Sequence, residues 1–176
     1  MIGNVRVHRV EEWRGPFLTP ELLFTGFDAD ALAATRGDIP DGCLDPATDA
    51  IEARIQSWVI EAPGCTILLD TGCGNHKDRP GIPVFHQLET DFPARLAAAG
   101  FAADEIDLVI CTHLHVDHVG WNTTLVDGEW LPSFPNARYL FPAADVDYWD
   151  PRNRHLFPDM VGEAYGAVWR RSRSEA

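Results

Sequence analysis

The sequence predicts a mixed α/β fold built from short strands and short helices. Residues 51–61 alternate between apolar and polar side chains, which predicts a half-exposed strand. Residues 66–69 are a short apolar run that indicates a fully buried strand, and the apolar run at 106–110 indicates a buried strand. Residues 88–100 carry a large apolar side chain at every fourth position, which predicts a helix beginning near Asp91.

The N-terminal part of the chain predicts one strand and one short helix. Alternation in residues 2–10 indicates a first strand, and the glycine and prolines that follow predict a loop over residues 11–20. Residues 28–36 predict a short helix, with Asp28 as its N-terminal cap.

Turn dipeptides divide the rest of the chain into short elements. Pro63-Gly64 predicts a hairpin between the two strands at 51–61 and 66–69, and Asp127-Gly128 predicts another within residues 123–130. The elements expected after that are a strand at 137–141 and helices at 143–149 and 159–171.

The composition favours one cytoplasmic domain with no nucleic-acid or membrane partner. A length of 176 residues with 45% hydrophobic side chains is enough for one domain with a core. The net charge of -13 argues against nucleic acid and anionic membranes, because both attract basic surfaces. The sequence predicts no signal segment and no transmembrane run, and its four cysteines form no CxxC pair.

Residues 111–120 concentrate metal-binding side chains directly after an apolar strand. His113, His115, Asp117 and His118 lie within six residues of one another. Imidazole and carboxylate groups are the usual protein ligands of zinc, iron and manganese. This density favours a metal site over a solvated loop that happens to contain histidines.

The spacing predicts two neighbouring metal positions. In extended backbone, residues i and i+2 point to the same side, so His113 and His115 can converge on one ion. Asp117 and His118 are sequence neighbours, and a turn into a helix at residues 116–120 would direct both towards a second ion. Two adjacent metals are a common arrangement in hydrolytic enzymes.

These motifs resemble those of a known family. The segment His113-Leu-His-Val-Asp-His118, with Thr112 before it and Gly120 after it, resembles the signature of the metallo-β-lactamase-fold hydrolases. The strand that ends in Asp70-Thr71-Gly72 resembles the other early motif of that superfamily, in the same order. Trp121-Asn122 and residues 134–139 are most similar to its lactonase and organophosphate-hydrolase branch.

The resemblance implies the αββα sandwich of that superfamily. Residues 1–176 would form a single domain that corresponds to the N-terminal half of the sandwich. Asp70 would orient a metal-binding histidine from behind. The alternative is that Asp70 organises the Thr71-Gly72 turn, which needs no metal.

The resemblance also implies a metal-dependent hydrolase. His113 and His115 would hold one zinc ion, and Asp117 and His118 the other, with iron or manganese as alternative metals. A zinc-activated hydroxide would cleave a lactone, an ester or a related bond of a small-molecule substrate. Asp117 would also take a proton during catalysis.

Four ligands are too few for a complete pair of ions. In the resembled family a further histidine, a bridging aspartate and a last histidine lie well downstream. His155 is the only histidine after His118, and it lacks the strand-then-glycine context of the family's second histidine motif. The sequence therefore predicts that the C-terminal half is absent, and a homodimer or a separate C-terminal half would be needed to complete the site.

Two other classes of function stay open. The chain can be a truncated, non-catalytic fragment or interaction module that keeps a partial metal site. It can also be an iron-dependent oxidoreductase on the same fold, because the same side chains bind iron. Tightly held zinc with lactone or ester turnover would favour the hydrolase. Weakly held metal without turnover would favour the fragment. Bound iron with oxygen uptake would favour the oxidoreductase.

Overall fold

The structure is a computed structural model that describes residues 3–150 and 152–153. The chain divides into two units, one containing Trp13–Arg54 and the other containing the residues before and after that segment. The helix expected at 159–171 lies outside the described residues, as does His155. Within the described residues, no helix is long and apolar enough to cross a membrane.

The mixed α/β fold is confirmed, with a five-stranded sheet as its main element. The sheet order is β1-β2-β3-β4-β7, and β5 and β6 form a separate two-stranded sheet. The elements are β1 (Arg6–Pro16), α1 (Pro20–Leu23), α2 (Ala29–Thr35), β2 (Glu52–Ala62), β3 (Cys65–Leu69), α3 (Phe92–Ala98), β4 (Leu108–Ile110), β5 (Thr123–Val126), β6 (Glu129–Pro132), β7 (Arg138–Leu140) and α4 (Ala143–Tyr148).

Several of the predicted elements form where the local chemistry requires them. Asp28 caps α2, because its side chain accepts hydrogen bonds from the backbone N–H groups of Asp30 and Ala31. Both predicted hairpins are present, as antiparallel pairs of β2 with β3 and of β5 with β6. Asp127 and Gly128 both have positive φ angles, 50° and 84°, as a two-residue hairpin turn requires.

Three predictions about local structure are wrong. The first strand does not end at Val10, because β1 continues to Pro16 and replaces half of the loop expected over 11–20. β3 is not fully buried, since only Leu68 among its residues is buried. Residues 116–120 form turns and no α-helix, because their backbone groups bond to other segments of the chain.

The unit Trp13–Arg54 contains α1 and α2. Its loops are held by local polar contacts, including a hydrogen-bonded ion pair between Arg36 and Asp49. Asp45 folds the chain at residues 45–48 by accepting hydrogen bonds from Ala47 and Thr48.

Three parallel strands in the other unit end at the same level. Leu69 of β3 is in register with Ile110 of β4, and Ile110 with Leu140 of β7. The ladder continues one step further, because the Asp70 N–H donates to the Ile110 carbonyl at 2.8 Å and the Cys111 N–H to the Leu140 carbonyl at 3.1 Å. The segments that follow these strands therefore meet at one edge of the sheet.

The hydrophobic core of this unit reaches directly beneath that edge. Phe92 of α3 stacks on Trp121, with ring centroids 5.5 Å apart. Leu114 and Val119, which lie within residues 112–120, belong to the same buried cluster. Burial of such side chains stabilises this segment by roughly 1.5–3 kcal/mol each. The other members of the cluster are Val10, Val59, Leu68, Leu96, Ile106, Val109, Cys111 and Phe134.

Two glycine-containing segments cross in close contact beside the motif. The Gly120 N–H donates to the Gly72 carbonyl at 2.7 Å. A Cβ atom on Gly120 would lie 1.8 Å from the backbone of Cys73, and one on Gly74 would lie 2.5 Å from the backbone of Gly120. Because both neighbours are backbone, the crossing leaves no room for a side chain at either position.

Gly120→Ala should therefore destabilise the protein by more than about 3 kcal/mol, because the added methyl group overlaps the Cys73 backbone. Urea unfolding followed by circular dichroism measures this free energy. Gly37→Ala is the matched control, because a Cβ on Gly37 meets open space, and it should stay within about 0.5 kcal/mol of wild type. Equal stability of the two variants would contradict the crossing.

Candidate metal centre

The four predicted metal ligands lie together on the segment that follows β4. We call residues 111–121 the donor loop. The side chains of its four predicted ligands are exposed or half-buried, whereas the intervening Leu114 and Val116 are buried, with 6% and 7% of their surface exposed. The loop thus alternates between side chains that anchor it in the core and side chains that face outward. The outward set is His113, His115, Asp117 and His118.

The three histidine rings of the loop are packed against one another. The ring centroids of His113 and His115 are 4.7 Å apart, and those of His113 and His118 are 3.9 Å apart. Nε2 of His118 lies 3.3 Å from Oδ2 of Asp117. All four side chains that the sequence singled out are therefore adjacent in the structure.

Asp70, at the end of β3, contacts the donor loop at two points. Its Oδ1 accepts a hydrogen bond of 2.7 Å from the Thr112 N–H, and the Thr112 hydroxyl donates to the same carboxylate. Its Oδ2 lies 3.0 Å from Nδ1 of His118. This last contact is an ion pair when the His118 ring is protonated, and Nδ1 has no aligned hydrogen bond among the described residues.

The position of Asp70 resembles a carboxylate that orients a metal-binding histidine. With Asp70 against Nδ1, His118 keeps its Nε2 on the side of Asp117. The Thr112 hydroxyl lies 3.0 Å from Nδ1 of His113, so this histidine too has one nitrogen engaged and the other available. Asp70 has a φ angle of 55°, an uncommon conformation for aspartate that turns the chain sharply after β3.

Electrostatic coupling between these groups perturbs their pKa values. Burial lowers the pKa of His118, but the carboxylates of Asp117 and Asp70 outweigh burial and raise this pKa to about 9. Burial raises the pKa values of Asp70 and Asp117, yet contacts with His118 bring both below the usual value for aspartate. Burial, together with the neighbouring histidines, lowers the pKa of His113.

The chemistry of these donors fits a metal ion, with two donors for each predicted position. In the part of the chain that the structure describes, no group of three or more histidine, cysteine, aspartate or glutamate side chains is arranged to hold a metal. Zinc ligands are nevertheless present at both predicted positions. The first position has two imidazoles, from His113 and His115. The second has one carboxylate and one imidazole, from Asp117 and His118. The described residues therefore fit zinc ions that receive further ligands from elsewhere.

Side chains outside the motif fix the backbone of the donor loop. The carboxylate of Asp145 on α4 accepts a hydrogen bond of 2.8 Å from the Leu114 N–H. The guanidinium of Arg79, a residue only 2% exposed, donates to the Val116 carbonyl at 3.1 Å. The Thr71 N–H donates to the His118 carbonyl at 2.9 Å. Beyond Cys111 the loop has no neighbouring strand in the part of the chain that the structure describes, so these contacts satisfy backbone groups that a sheet would otherwise pair.

A buried carboxylate joins β1 to both loops of the crossing. Glu12 is 1% exposed, and it accepts hydrogen bonds from the Cys73 N–H at 2.6 Å, the Gly74 N–H at 2.9 Å and Trp121 Nε1 at 2.6 Å. Burial raises the pKa of Glu12, an effect that the three hydrogen bonds only partly offset. Gly72 leaves the space that this carboxylate occupies, because a Cβ there would lie 2.1 Å from Oε2.

A buried lysine holds the same region on its other side. Nζ of Lys77 donates to the hydroxyl of Thr123 at 2.8 Å and to its carbonyl at 3.1 Å, and it lies 3.4 Å from the centroid of the Trp130 ring. Burial lowers the pKa of Lys77 to about 7, with a further contribution from the charge of Arg79.

The sequence motifs gave no indication of these supporting residues. Glu12 falls in a segment that the glycine and prolines predicted to be a loop, and its partners are more than sixty residues away in sequence. Arg79 lies in a loop rich in polar residues, where a charged side chain is ordinarily solvated. A strand pattern extended through Val10 and Glu12 would have placed Glu12 on the buried face of β1.

The chain matches the family model of the metallo-β-lactamase superfamily over residues 52–174. Among curated proteins it is similar to the N-acyl homoserine lactonase AiiB of Agrobacterium fabrum. The identity is 31% over 80 aligned residues, which cover 40% of this chain and 29% of that protein. The AiiB lactonase of Rhizobium rhizogenes matches to the same extent.

Two solved structures share the fold. The hydrolase AbOPH of the β-lactamase superfamily superposes with a TM-score of 0.74 at 20% identity, over 99% of this chain and 57% of that one. The dizinc quorum-quenching lactonase AidC, in complex with its product, superposes with a TM-score of 0.58 at 21% identity, over 82% of this chain and 43% of that one.

These proteins are longer than the present chain. It spans about three tenths of the curated lactonases and less than three fifths of the solved hydrolases. The family model nevertheless covers more than half of the chain, including both sequence motifs and all four histidine and aspartate donors. The five-stranded mixed sheet, with the donor loop after β4, agrees with the fold of AbOPH. The chain belongs to the metallo-β-lactamase superfamily.

Proposed function

We propose that this chain is part of a metal-dependent hydrolase that cleaves a lactone or an ester. The observation that carries the proposal is the adjacency of four zinc-type donors on one loop, with Asp70 placed behind His118. The site lies at the carboxyl ends of the parallel strands β3, β4 and β7, where α/β proteins place their ligands. No protein nucleophile is needed for hydrolysis at such a site.

The residues of the chain would have separate tasks. His113 and His115 would hold one zinc ion, and Asp117 and His118 a second. A bound zinc ion supplies Lewis acidity, which lowers the pKa of water towards neutrality and polarises a carbonyl oxygen. Asp70 would keep Nε2 of His118 directed outward. The lowered pKa of Asp117 keeps this carboxylate ionised at neutral pH, which favours its role as a ligand over that of a general base.

The lactone is the substrate class with the most support. Both curated relatives are N-acyl homoserine lactonases, and AidC is a dizinc lactonase. Because this chain spans less than two thirds of each, turnover would require the further ligands that complete the two metal positions.

A partial metal site without turnover is the second candidate. It is favoured by the two donors per position among the described residues. A chain of this kind would bind zinc weakly and hydrolyse nothing.

Metal content measured by elemental mass spectrometry on dialysed protein, followed by a panel of lactones and esters, tests the first proposal. We expect bound zinc, together with hydrolysis of an N-acyl homoserine lactone where further ligands complete the two metal positions. His115→Ala should abolish hydrolysis and the zinc held with His113, whereas His76→Ala, which changes an exposed histidine paired with Glu89, should alter neither. Zinc without turnover would support the second candidate. Absence of zinc would reject both.

Zinc affinity should rise with pH between about 7 and 9. His118 must be neutral to bind a metal, and its raised pKa means that a proton competes throughout that interval. Competition with a chromophoric chelator should show about a tenfold gain in apparent affinity per pH unit, levelling off above pH 9. The residual binding of His118→Ala should lack this dependence. A flat wild-type profile over the interval would show that His118 is already neutral.

Asp70→Ala should weaken zinc binding by roughly ten- to a hundredfold, because His118 and Thr112 lose the carboxylate that orients them. Isothermal titration calorimetry measures this difference. Asp107→Ala offers a control at the opposite end of the strands, where the carboxylate binds the Thr66 N–H, away from the donor loop. An unchanged affinity in Asp70→Ala would leave Asp70 as a turn residue.

A further inference from the structure

The backbone of the donor loop is anchored at every second residue. The ligand candidates occupy positions 113, 115 and 117, and the residues between them carry the anchors. The N–H of residue 112 is bound by Asp70, the N–H of residue 114 by Asp145, and the carbonyl of residue 116 by Arg79. All three anchors are side chains from other segments of the chain.

Asp145 anchors the residue that lies between the two histidines of the pair. It lies in the first turn of α4, which follows β7 at the edge where the parallel strands end. Its Oδ2 receives the Leu114 N–H at 2.8 Å, directly between His113 and His115. The Leu114 side chain is 6% exposed, so the residue is fixed from both its backbone and its side chain.

Arg79 anchors the next part of the loop as a hydrogen-bond donor, whereas Asp145 is an acceptor. Its guanidinium donates to the Val116 carbonyl, whereas Asp145 accepts from the Leu114 N–H. The two contacts therefore fix two successive inward-facing residues, Leu114 and Val116. His115 lies between them, so the chain on both sides of this histidine is tied to another segment: the peptide unit 113–114 to Asp145 and the peptide unit 116–117 to Arg79.

We propose that Asp145 is a positioning residue for the metal-binding pair His113 and His115. Its use to the protein depends on the proposed metal site, because the bond to Leu114 sets the direction of the two flanking side chains. Because its Oδ2 accepts the Leu114 N–H, Asp145 acts on the histidine pair through the backbone. What matters is an acceptor at this place, and a neutral amide oxygen would serve.

Three variants test this assignment. Asp145→Ala removes the acceptor, Asp145→Asn keeps an amide oxygen of the same shape, and Asp147→Ala changes an exposed aspartate of the same helix as a control. Amide hydrogen exchange in the metal-free protein, read by NMR, reports the Leu114 N–H directly. Zinc affinity, measured by competition with a chelator, reports the histidine pair.

In Asp145→Ala we expect exchange at Leu114 to accelerate at least tenfold and zinc affinity to fall roughly ten- to a hundredfold. Exchange at Val109 in the centre of β4 should not change, which separates a local effect from loss of stability. Asp145→Asn and Asp147→Ala should both behave like wild type. Unchanged exchange and affinity in Asp145→Ala would overturn the proposal, and so would an Asp145→Asn variant as impaired as Asp145→Ala.

The exchange measurement needs no metal, so it separates the two proposals. A wild-type protein that binds no zinc would reject the proposed function. Exchange at Leu114 would still decide whether Asp145 holds the donor loop. Normal zinc binding by Asp145→Ala, with faster exchange at Leu114, would reject the positioning role and leave the proposed function intact.

Discussion

The register of three parallel strands is the constraint on which the candidate site depends. Because Leu69, Ile110 and Leu140 lie side by side, the segments that follow them begin at the same level of the sheet. Asp70, the donor loop and α4 each come from one of these strand ends. A shift of one residue in any strand would turn its side chains to the opposite face and separate the carboxylates from the loop that they hold.

The donor loop is an irregular segment beside the core, and its buried backbone groups need hydrogen-bond partners. After Cys111 its backbone has no strand partner among the described residues, so each inward N–H and carbonyl needs another group. Charged side chains supply these groups from three directions, and Glu12 does the same for the neighbouring loop of Cys73 and Gly74. Removal of Glu12 or Arg79 would leave the buried backbone groups that they bind without these hydrogen-bond partners. Rigid support of this kind is what a metal site requires of its surroundings.

The sequence was sufficient to predict what depends on nearby residues. The cap of α2, the two hairpins, the outward-facing donors and the proximity of His113 to His115 follow from spacing and turn chemistry over a few positions. The expected helix at 116–120 failed because Val116 and His118 bond to Arg79 and Thr71, which lie 37 and 47 residues away. Glu12 and Asp145 were missed for the same reason, since their partners are 61 and 31 residues distant. No periodicity records a contact of that range.

The crossing of Gly74 and Gly120 has a consequence for how this protein can change its sequence. At Gly74 and at Gly120 the backbone of the facing loop leaves no room for a side chain. At Gly72 the Glu12 carboxylate occupies the space that a side chain would need. Any single substitution at these positions would therefore cause steric overlap. A second substitution at the facing glycine would add further volume and would not remove the overlap. A wider crossing would need the two loops to move apart, which would carry Asp70 away from His118. Variation in this region is thus confined to residues on the outer sides of the loops, which face away from the crossing.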